Sequence, residues 1–307
     1  MKLVFMGSAA FAVPSLNAAA ANHTVLEVVT QPDKPAGRGM RLKACPVAES
    51  ARKLNLPLFQ PRSVKPPEVI DRIKGLRPDI IVVVAYGKIL PRALLEIPPH
   101  GCINVHASLL PKYRGAAPIN WAIANGELET GVTTQRIVEE LDAGDILLSA
   151  KTPIDEAETA DGLYGRLSLL GSDLLMKTIE GLKRGTITPS PQDPSLVTFA
   201  PLIKKDDGRV DWSMPASVIY NRIRGFRPWP GSFSSIDGKR IKIIEAAPAD
   251  IQAPAAPGTV VEIGKHLAVA CGEGLLYLLE VQPEGKRRMS ASDFMRGHRV
   301  TKGTALT

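Results

Sequence analysis

Cysteine is scarce in this chain, with three in 307 residues. Cys45, Cys102 and Cys271 stand far apart, with none of the close pairing of a zinc or dithiol motif, and this excludes a disulfide framework. An odd, sparse count is ordinary for a reducing compartment, so the cytoplasm is the expected location. Histidine is also thin: five residues, scattered, with no His-Glu-x-x-His, so no metal centre is expected. The turn Gly7-Ser-Ala-Ala-Phe11 lacks the glycines of a dinucleotide fingerprint, which removes a nicotinamide site. No apolar run approaches the roughly 18 residues of a membrane span. Lys2-Leu-Val-Phe-Met6 and the Ala-rich stretch after it look superficially like a secretory leader. A single positive charge precedes the run, and Gly7 and Pro14 break it, so a strand, a turn and a helix are expected instead.

What is present reads as two domains. The hydrophobic fraction of 44% supports sizeable cores, and the length fits two units. Lys2–Met6, Val25–Val29, Pro78–Val84, Gly101–His106 and Val132–Ile137 read as short strands, those at Pro78–Val84 and Gly101–His106 being apolar without alternation. Helical segments between them favour parallel order with crossover helices. Thr159 is placed to cap a long helix whose apolar face is Leu163, Leu167, Leu170, Leu174, Ile179 and Leu182, and Gly185 is placed to end it. The passage Thr188-Pro-Ser-Pro-Gln-Asp-Pro194 is stiff and poor in apolar residues, as a linker would be. Beyond it, Arg240–Ile244, Gly258–Ile263, Leu267–Ala270 and Leu275–Val281 are short strands between turns, the pattern of a small barrel. The expected division is 1–187, a linker over 188–203, and 204–307.

Charge is uneven. From Lys204 onward there are 16 Lys and Arg against 11 Asp and Glu, while the rest of the chain holds 22 against 20. Most of the net +7 therefore sits on the smaller part, with clusters at Lys286-Arg-Arg288 and at Arg222, Arg224 and Arg227. Such a face is either simply solvated or meets a polyanion. Phe226-Arg-Pro-Trp229 reads either as a base-stacking site or as a packed joint. A second basic feature is Gln31–Lys43, with Lys34, Arg38, Arg41 and Lys43 among Pro35, Gly37 and Gly39. It reads as a long loop, uncommon inside a compact domain unless it is mobile or functional.

The chemistry is concentrated in Gly101-Cys-Ile-Asn104-Val-His106-Ala-Ser108-Leu-Leu-Pro111 and in Leu141-Asp142-Ala-Gly144-Asp145. Asn104 and His106 are two apart, so on a strand they point to one face. They lie at the carboxyl end of an expected parallel strand, where open α/β sheets bind ligands. An amide and an imidazole can hold a developing oxyanion, and a carboxylate can take the proton of an attacking amine. An Asn-x-His pair on its own is more often two satisfied polar side chains; the setting favours chemistry.

With Tyr113-Arg-Gly115 and Ala85-Tyr-Gly-Lys-Ile-Leu-Pro91 added, these motifs resemble the formyltransferases that use 10-formyltetrahydrofolate. Gln31–Gly39, Arg114–Pro118, Glu129–Val132, Phe226–Pro230 and Gly285–Ala291 are similar to the branch of that group whose acceptor is initiator methionyl-tRNA. The likeness runs over nearly the whole chain and departs at Ala107, where Gly is expected after the His. It implies a Rossmann-like parallel-sheet formyltransferase domain followed by a small OB-like β-barrel domain that binds tRNA. It implies Asn104, His106 and Asp142 as catalytic residues, the Asp-x-Gly motif selecting Asp142 over Asp145. The folate would lie against Lys88, Leu90, Ser108, Leu109, Leu110 and Pro111, met largely by backbone groups at Leu109 and Leu110. Arg38, Arg41 and Lys43 would reach the acceptor stem, Arg38 leading. The implied setting is translation initiation in the cytoplasm, with no metal, no membrane and no obligate protein partner. Three other readings stay open: the same transfer to a small amine, hydrolysis, and a non-catalytic RNA-binding module.

Overall fold

A computed structural model describes residues 1–36, 41–251, 255–263, 267–298 and 300–307; the side chains of residues 35, 36, 41, 262 and 263 are outside this description. In chain order the first strands and helices are β1 (Lys2–Gly7), α1 (Val13–Asn22), β2 (Thr24–Val29), β3 (Lys34–Ala36), β4 (Arg41–Lys43), α2 (Pro46–Lys53), β5 (Leu58–Phe59), α3 (Pro67–Gly75) and β6 (Ile80–Val84). Then come α4 (Arg92–Leu95), β7 (Cys102–His106), β8 (Arg114–Gly115), α5 (Pro118–Ala124), β9 (Glu129–Arg136), β10 (Ile146–Pro153), α6 (Ala160–Arg184) and β11 (Phe199–Ala200). The remainder is α7 (Ala216–Gly225), β12 (Ser232–Ile236), β13 (Lys239–Ala249), β14 (Val260–Ile263), β15 (Leu267–Ala270), β16 (Leu275–Pro283), β17 (Met289–Ser290) and α8 (Ala291–Gly297).

The chain divides into two compact units. The first holds residues 1–118, 129–153 and 164–200, and the second holds 119–128, 154–163 and 201–307. The expected linker region falls mostly in the first unit. Ser190 bridges Ile146, and β11 pairs in parallel with β8. Proline removes backbone donors, but the residues between the prolines still supply hydrogen bonds, so this stretch is tied down rather than free.

The first unit is built on a seven-stranded sheet of order β10-β9-β7-β6-β1-β2-β5. The five strands from β5 to β7 are parallel. β6 is buried at all five positions, as a strand covered on both faces must be. β9 departs from the expected parallel order: it runs antiparallel to β7 and to β10. No helix intervenes between β9 and β10, so the chain has no crossover to bring it back in parallel. Segment 31–43 also differs from a plain loop, since β3 and β4 pair antiparallel, with Lys34 opposite Lys43.

One core of this unit gathers Val4, Met6, Ile81, Val83 and Cys102 under Ile73 and Leu94. Burial pushes the Cys102 thiol up to about 12, so it serves here as a core side chain. α6 covers the other face. Its Leu167, Leu174 and Ile179 are buried, and a Cβ at Gly171 would lie 2.9 Å from Val105 of β7.

The second unit carries an antiparallel sheet of order β12-β13-β16-β15-β14, with β17 on β16. The C-terminal residues bridge both outer strands, Leu306 to Ile236 and Ala305 to Thr259, which curls the sheet into a half-barrel. Its core includes Trp212, Ile219, Ile241, Leu276 and Phe294. α5 belongs to this unit through α7. Asn120 Nδ2 donates to Gly225 O at 2.7 Å, and Trp121 meets the fully buried Phe226 edge-on, with ring centroids 5.4 Å apart. Phe226 is thus a packed joint, while Trp229 is exposed.

Gly225 permits this approach because a Cβ there would sit 2.8 Å from Ala124 N and 2.9 Å from Asn120 O. Both are backbone atoms and cannot rotate away. Gly225→Ala is therefore expected to destabilise by about 1–3 kcal/mol, read as a Tm several degrees lower. An unchanged Tm would show that α5 and α7 can separate freely.

Candidate active site

The site forms on one face of the β7–β9 pair. Asn104 lies opposite Gln135, and His106 lies opposite Thr133. Paired residues of an antiparallel ladder project to the same side, so all four share a face. Ile103 and Val105 project to the other, under α6. Asn104 is half-buried, and among the described residues its amide has no hydrogen-bond partner. A half-buried amide with two donors and no protein acceptor is available to a substrate oxygen.

Asp142 arrives on the loop between β9 and β10. Gly144 lets that loop close onto β9, because a Cβ there would fall 1.9 Å from Arg136 O. Asp142 itself takes a left-handed φ of 51°, tolerable for Asp but favourable only when the surroundings hold it. They do so at both carboxylate oxygens: Gly115 N donates to Oδ2 at 2.9 Å, and Gln135 Nε2 donates to Oδ1 at 3.0 Å.

His106 is buried, and its Nε2 lies 2.9 Å from Tyr113 O. A carbonyl only accepts, so Nε2 carries the hydrogen. The other nitrogen, Nδ1, lies 3.6 Å from Asp142 Oδ2, within ion-pair range but beyond hydrogen-bond range. Asp142 is thus the carboxylate beside the imidazole. Asp145 contributes its backbone carbonyl to Arg136 N, which closes the same loop.

The segments expected to meet folate leave the carboxyl ends of neighbouring parallel strands, Lys88–Leu90 after β6 and Ser108–Pro111 after β7. The Leu90 and Leu110 side chains are buried, so what these two offer is backbone. Leu110 N is itself taken by Thr133 Oγ1 at 3.1 Å, and Ser108 Oγ donates to Lys112 O at 2.6 Å. Leu109 and Pro111 are half-buried. Lys88 Nζ donates to Pro61 O at 3.2 Å and also to Arg62 O. Partial burial, and then the nearby Lys34 charge, hold the Lys88 ammonium below its usual range. Of the expected tRNA contacts, Arg38 lies outside the described residues, Arg41 is placed by its backbone in β4, and Lys43 is exposed on the same strand.

Four parts of the site were not found by reading motifs: the Tyr113 carbonyl, the Gly115 N–H, Gln135 and Gln192. Backbone groups leave no mark in a sequence. Gln135 does: it is a polar residue inside a strand, in phase with Thr133. Gln192 sits in the Pro-rich passage, where composition alone suggests solvent, yet it is 9% exposed. Its Nε2 donates to Asp142 O and Gly144 O, each at 2.8 Å, and its Oε1 accepts from Arg114 Nε at 3.0 Å.

Known proteins resemble this chain in sequence and in fold. A family model described as formyl transferase matches residues 1–179, and one described as formyl transferase, C-terminal domain, matches 202–299. The methionyl-tRNA formyltransferase of Solibacter usitatus is 50% identical over 100% of this chain and 98% of its own. That of Caldanaerobacter subterraneus is 48% identical, over 100% of both. Among solved structures, a sugar 3N-formyl transferase in the presence of dTDP and 5-N-formyl-THF superposes with a TM-score of 0.69. It shares 20% identity, over 94% of this chain and 99% of that one. An N-formyltransferase from Helicobacter canadensis gives 0.67, at 20% identity over 92% and 99%. These two likenesses are of fold.

Proposed function

The chain belongs to the formyl transferase family, and from that premise we propose that it carries the formyl group of 10-formyltetrahydrofolate to the α-amine of initiator methionyl-tRNA. The observation that carries the chemistry is a half-buried carboxylate and a buried imidazole, 3.6 Å apart, beside the strand-end face that presents the Asn104 amide. Full-length identity near one half with enzymes bearing that name supports the acceptor.

The neutral amine attacks the formyl carbon, and the carbonyl oxygen gathers negative charge. Asn104 donates to that oxygen. His106 assists as a second donor; its Nε2 hydrogen is spent on Tyr113 O, and its Nδ1 lies beside Asp142. Asp142 takes the proton that the amine loses, and the proton passes to the folate nitrogen as the tetrahedral intermediate collapses. Folate lies against Lys88–Leu90 and Ser108–Pro111, held mainly through backbone groups. Arg38, Arg41 and Lys43 approach the acceptor stem, and the basic region from Lys204 onward adds general affinity for a polyanion. The reaction serves translation initiation in the cytoplasm. No group of three or more metal-ligating side chains is found among the described residues, and the proposed steps require no metal.

Incubation with 10-formyltetrahydrofolate and either charged initiator tRNA or small amines tests this. Formyl-methionyl-tRNA is the expected product. A formylated small amine, free formate alone, or no product would support transfer to another acceptor, hydrolysis, or a binding module. Asn104→Ala is expected to lose about 2.7–4 kcal/mol of transition-state stabilisation, seen in kcat, because an amide donor to the oxyanion is removed. A near-wild-type kcat would take Asn104 out of the mechanism.

A further inference from the structure

We propose that Arg114, Gln192 and Gln135 form a relay of fixed hydrogen-bond polarity that positions Asp142 for proton acceptance. The proposal rests on the assignment of Asp142 as the group that takes the amine proton. None of the three touches the reacting atoms; all act through Asp142 as positioning residues.

An amide side chain can usually be turned end for end, so its orientation needs a cause. Arg114 supplies one. A guanidinium donates and never accepts. Its Nε lies 3.0 Å from the Gln192 side chain, so the oxygen of that amide must face it. The Gln192 nitrogen then faces the opposite way, where every neighbour is an acceptor. Asp142 O and Gly144 O each lie at 2.8 Å and Gln135 Oε1 at 3.2 Å. A flipped Gln192 would set its oxygen against two carbonyls and its nitrogen against a cation. With the Gln135 oxygen turned toward Gln192, the Gln135 nitrogen is turned toward Asp142 Oδ1, at 3.0 Å. Polarity thus passes from a permanent cation through two amides to the carboxylate.

The relay also holds the backbone of the loop. One Gln192 nitrogen bridges Asp142 O and Gly144 O, clamping the left-handed turn that aims the Asp142 side chain. All three members are buried, at 7% exposure for Arg114, 9% for Gln192 and 2% for Gln135. Water therefore does not substitute readily for a lost bond. Arg114 is neutralised from the same loop, with NH1 3.1 Å from Glu140 Oε1. Gln135 is also the cross-strand partner of Asn104, so one side chain connects the base to the face that presents the oxyanion donor. Each carboxylate oxygen accepts one fixed bond, Oδ1 from Gln135 and Oδ2 from Gly115 N, and Oδ2 is the one on the His106 side.

The test uses the full chain with Gln192→Met and Gln192→Glu. The Glu variant keeps the length and the contact with Arg114 but loses the donor. Both are expected to lower kcat roughly 30–100-fold, the scale of a misplaced catalytic group, with KM for folate and for acceptor within about twofold of wild type. A bystander would not discriminate by background. In an Asp142→Asn chain, assayed in single turnovers, adding Gln192→Met is expected to change the residual rate less than about threefold, because the residue it positions is already gone. Equal losses in both backgrounds would overturn the relay, as would a wild-type kcat in Gln192→Glu. If Gln192→Met fails to fold, Gln135→Met reads the same cycle from the other end. Failure of the functional reading looks different: a wild-type chain that transfers no formyl group, or an Asp142→Asn chain that turns over normally. With wild type active and Asp142→Asn impaired, an unchanged Gln192→Glu sinks the relay alone.

Discussion

Asp142→Asn is expected to lower kcat by roughly 10²–10⁴ while folate binding persists. The amide has the shape of the carboxylate but cannot take a proton. It also creates a polar conflict that the carboxylate avoids. Asp142 accepts from Gly115 N at one oxygen and from Gln135 Nε2 at the other. An amide can satisfy only one of these donors; its own nitrogen then faces the second. Turning Gln135 to accept instead would bring two nitrogens together at Gln192, whose orientation Arg114 sets. One unsatisfied buried contact of this kind costs about 1–3 kcal/mol, so a lower Tm is expected beside the loss of turnover. The measurements are single-turnover rate, folate affinity and thermal unfolding on one preparation. A rate within tenfold of wild type would remove Asp142 as the base, whatever happened to stability.

Truncation after Ala200 is expected to abolish cooperative folding rather than release an independent catalytic domain. A boundary drawn at the Pro-rich passage predicts a soluble fragment that binds folate. The division of the fold predicts the opposite, because residues 119–128 and 154–163 belong to the second unit. α5 would lose the Gly225 carbonyl from Asn120, the Phe226 ring from Trp121, and the Pro201 carbonyl that accepts from Trp121 Nε1 at 2.8 Å. The carbonyls of Asp155 and Glu158 would lose the Arg224 guanidinium, now at 3.2 and 3.1 Å. Hydrogen bonds of this kind contribute about 0.5–1.5 kcal/mol each, a sizeable share of the ~5–15 kcal/mol by which a whole protein is stable. A broad, non-cooperative melt and aggregation of the 1–200 fragment are expected. A sharp transition with intact folate binding would refute this.

The sequence by itself determined the pieces whose signal is local. β6 was legible because an unbroken apolar run needs cover on both faces, and α6 because its leucines recur at helical spacing. That Asn104 and His106 share a face follows from the pleat of a strand, whatever surrounds it. Only the tertiary structure decided how those pieces meet. The antiparallel turn of β9, the pairing of β3 with β4, and the membership of α5 in the second unit depend on contacts between distant residues. So do the bonds that hold the site: Gln192 and Asp142 are 50 positions apart, and Arg114 and Gln192 are 78 apart. Periodicity records what a residue's immediate neighbours require. A side-chain amide that fixes a distant turn, or a backbone carbonyl that fixes a tautomer, satisfies a requirement that exists only once the chain has closed on itself.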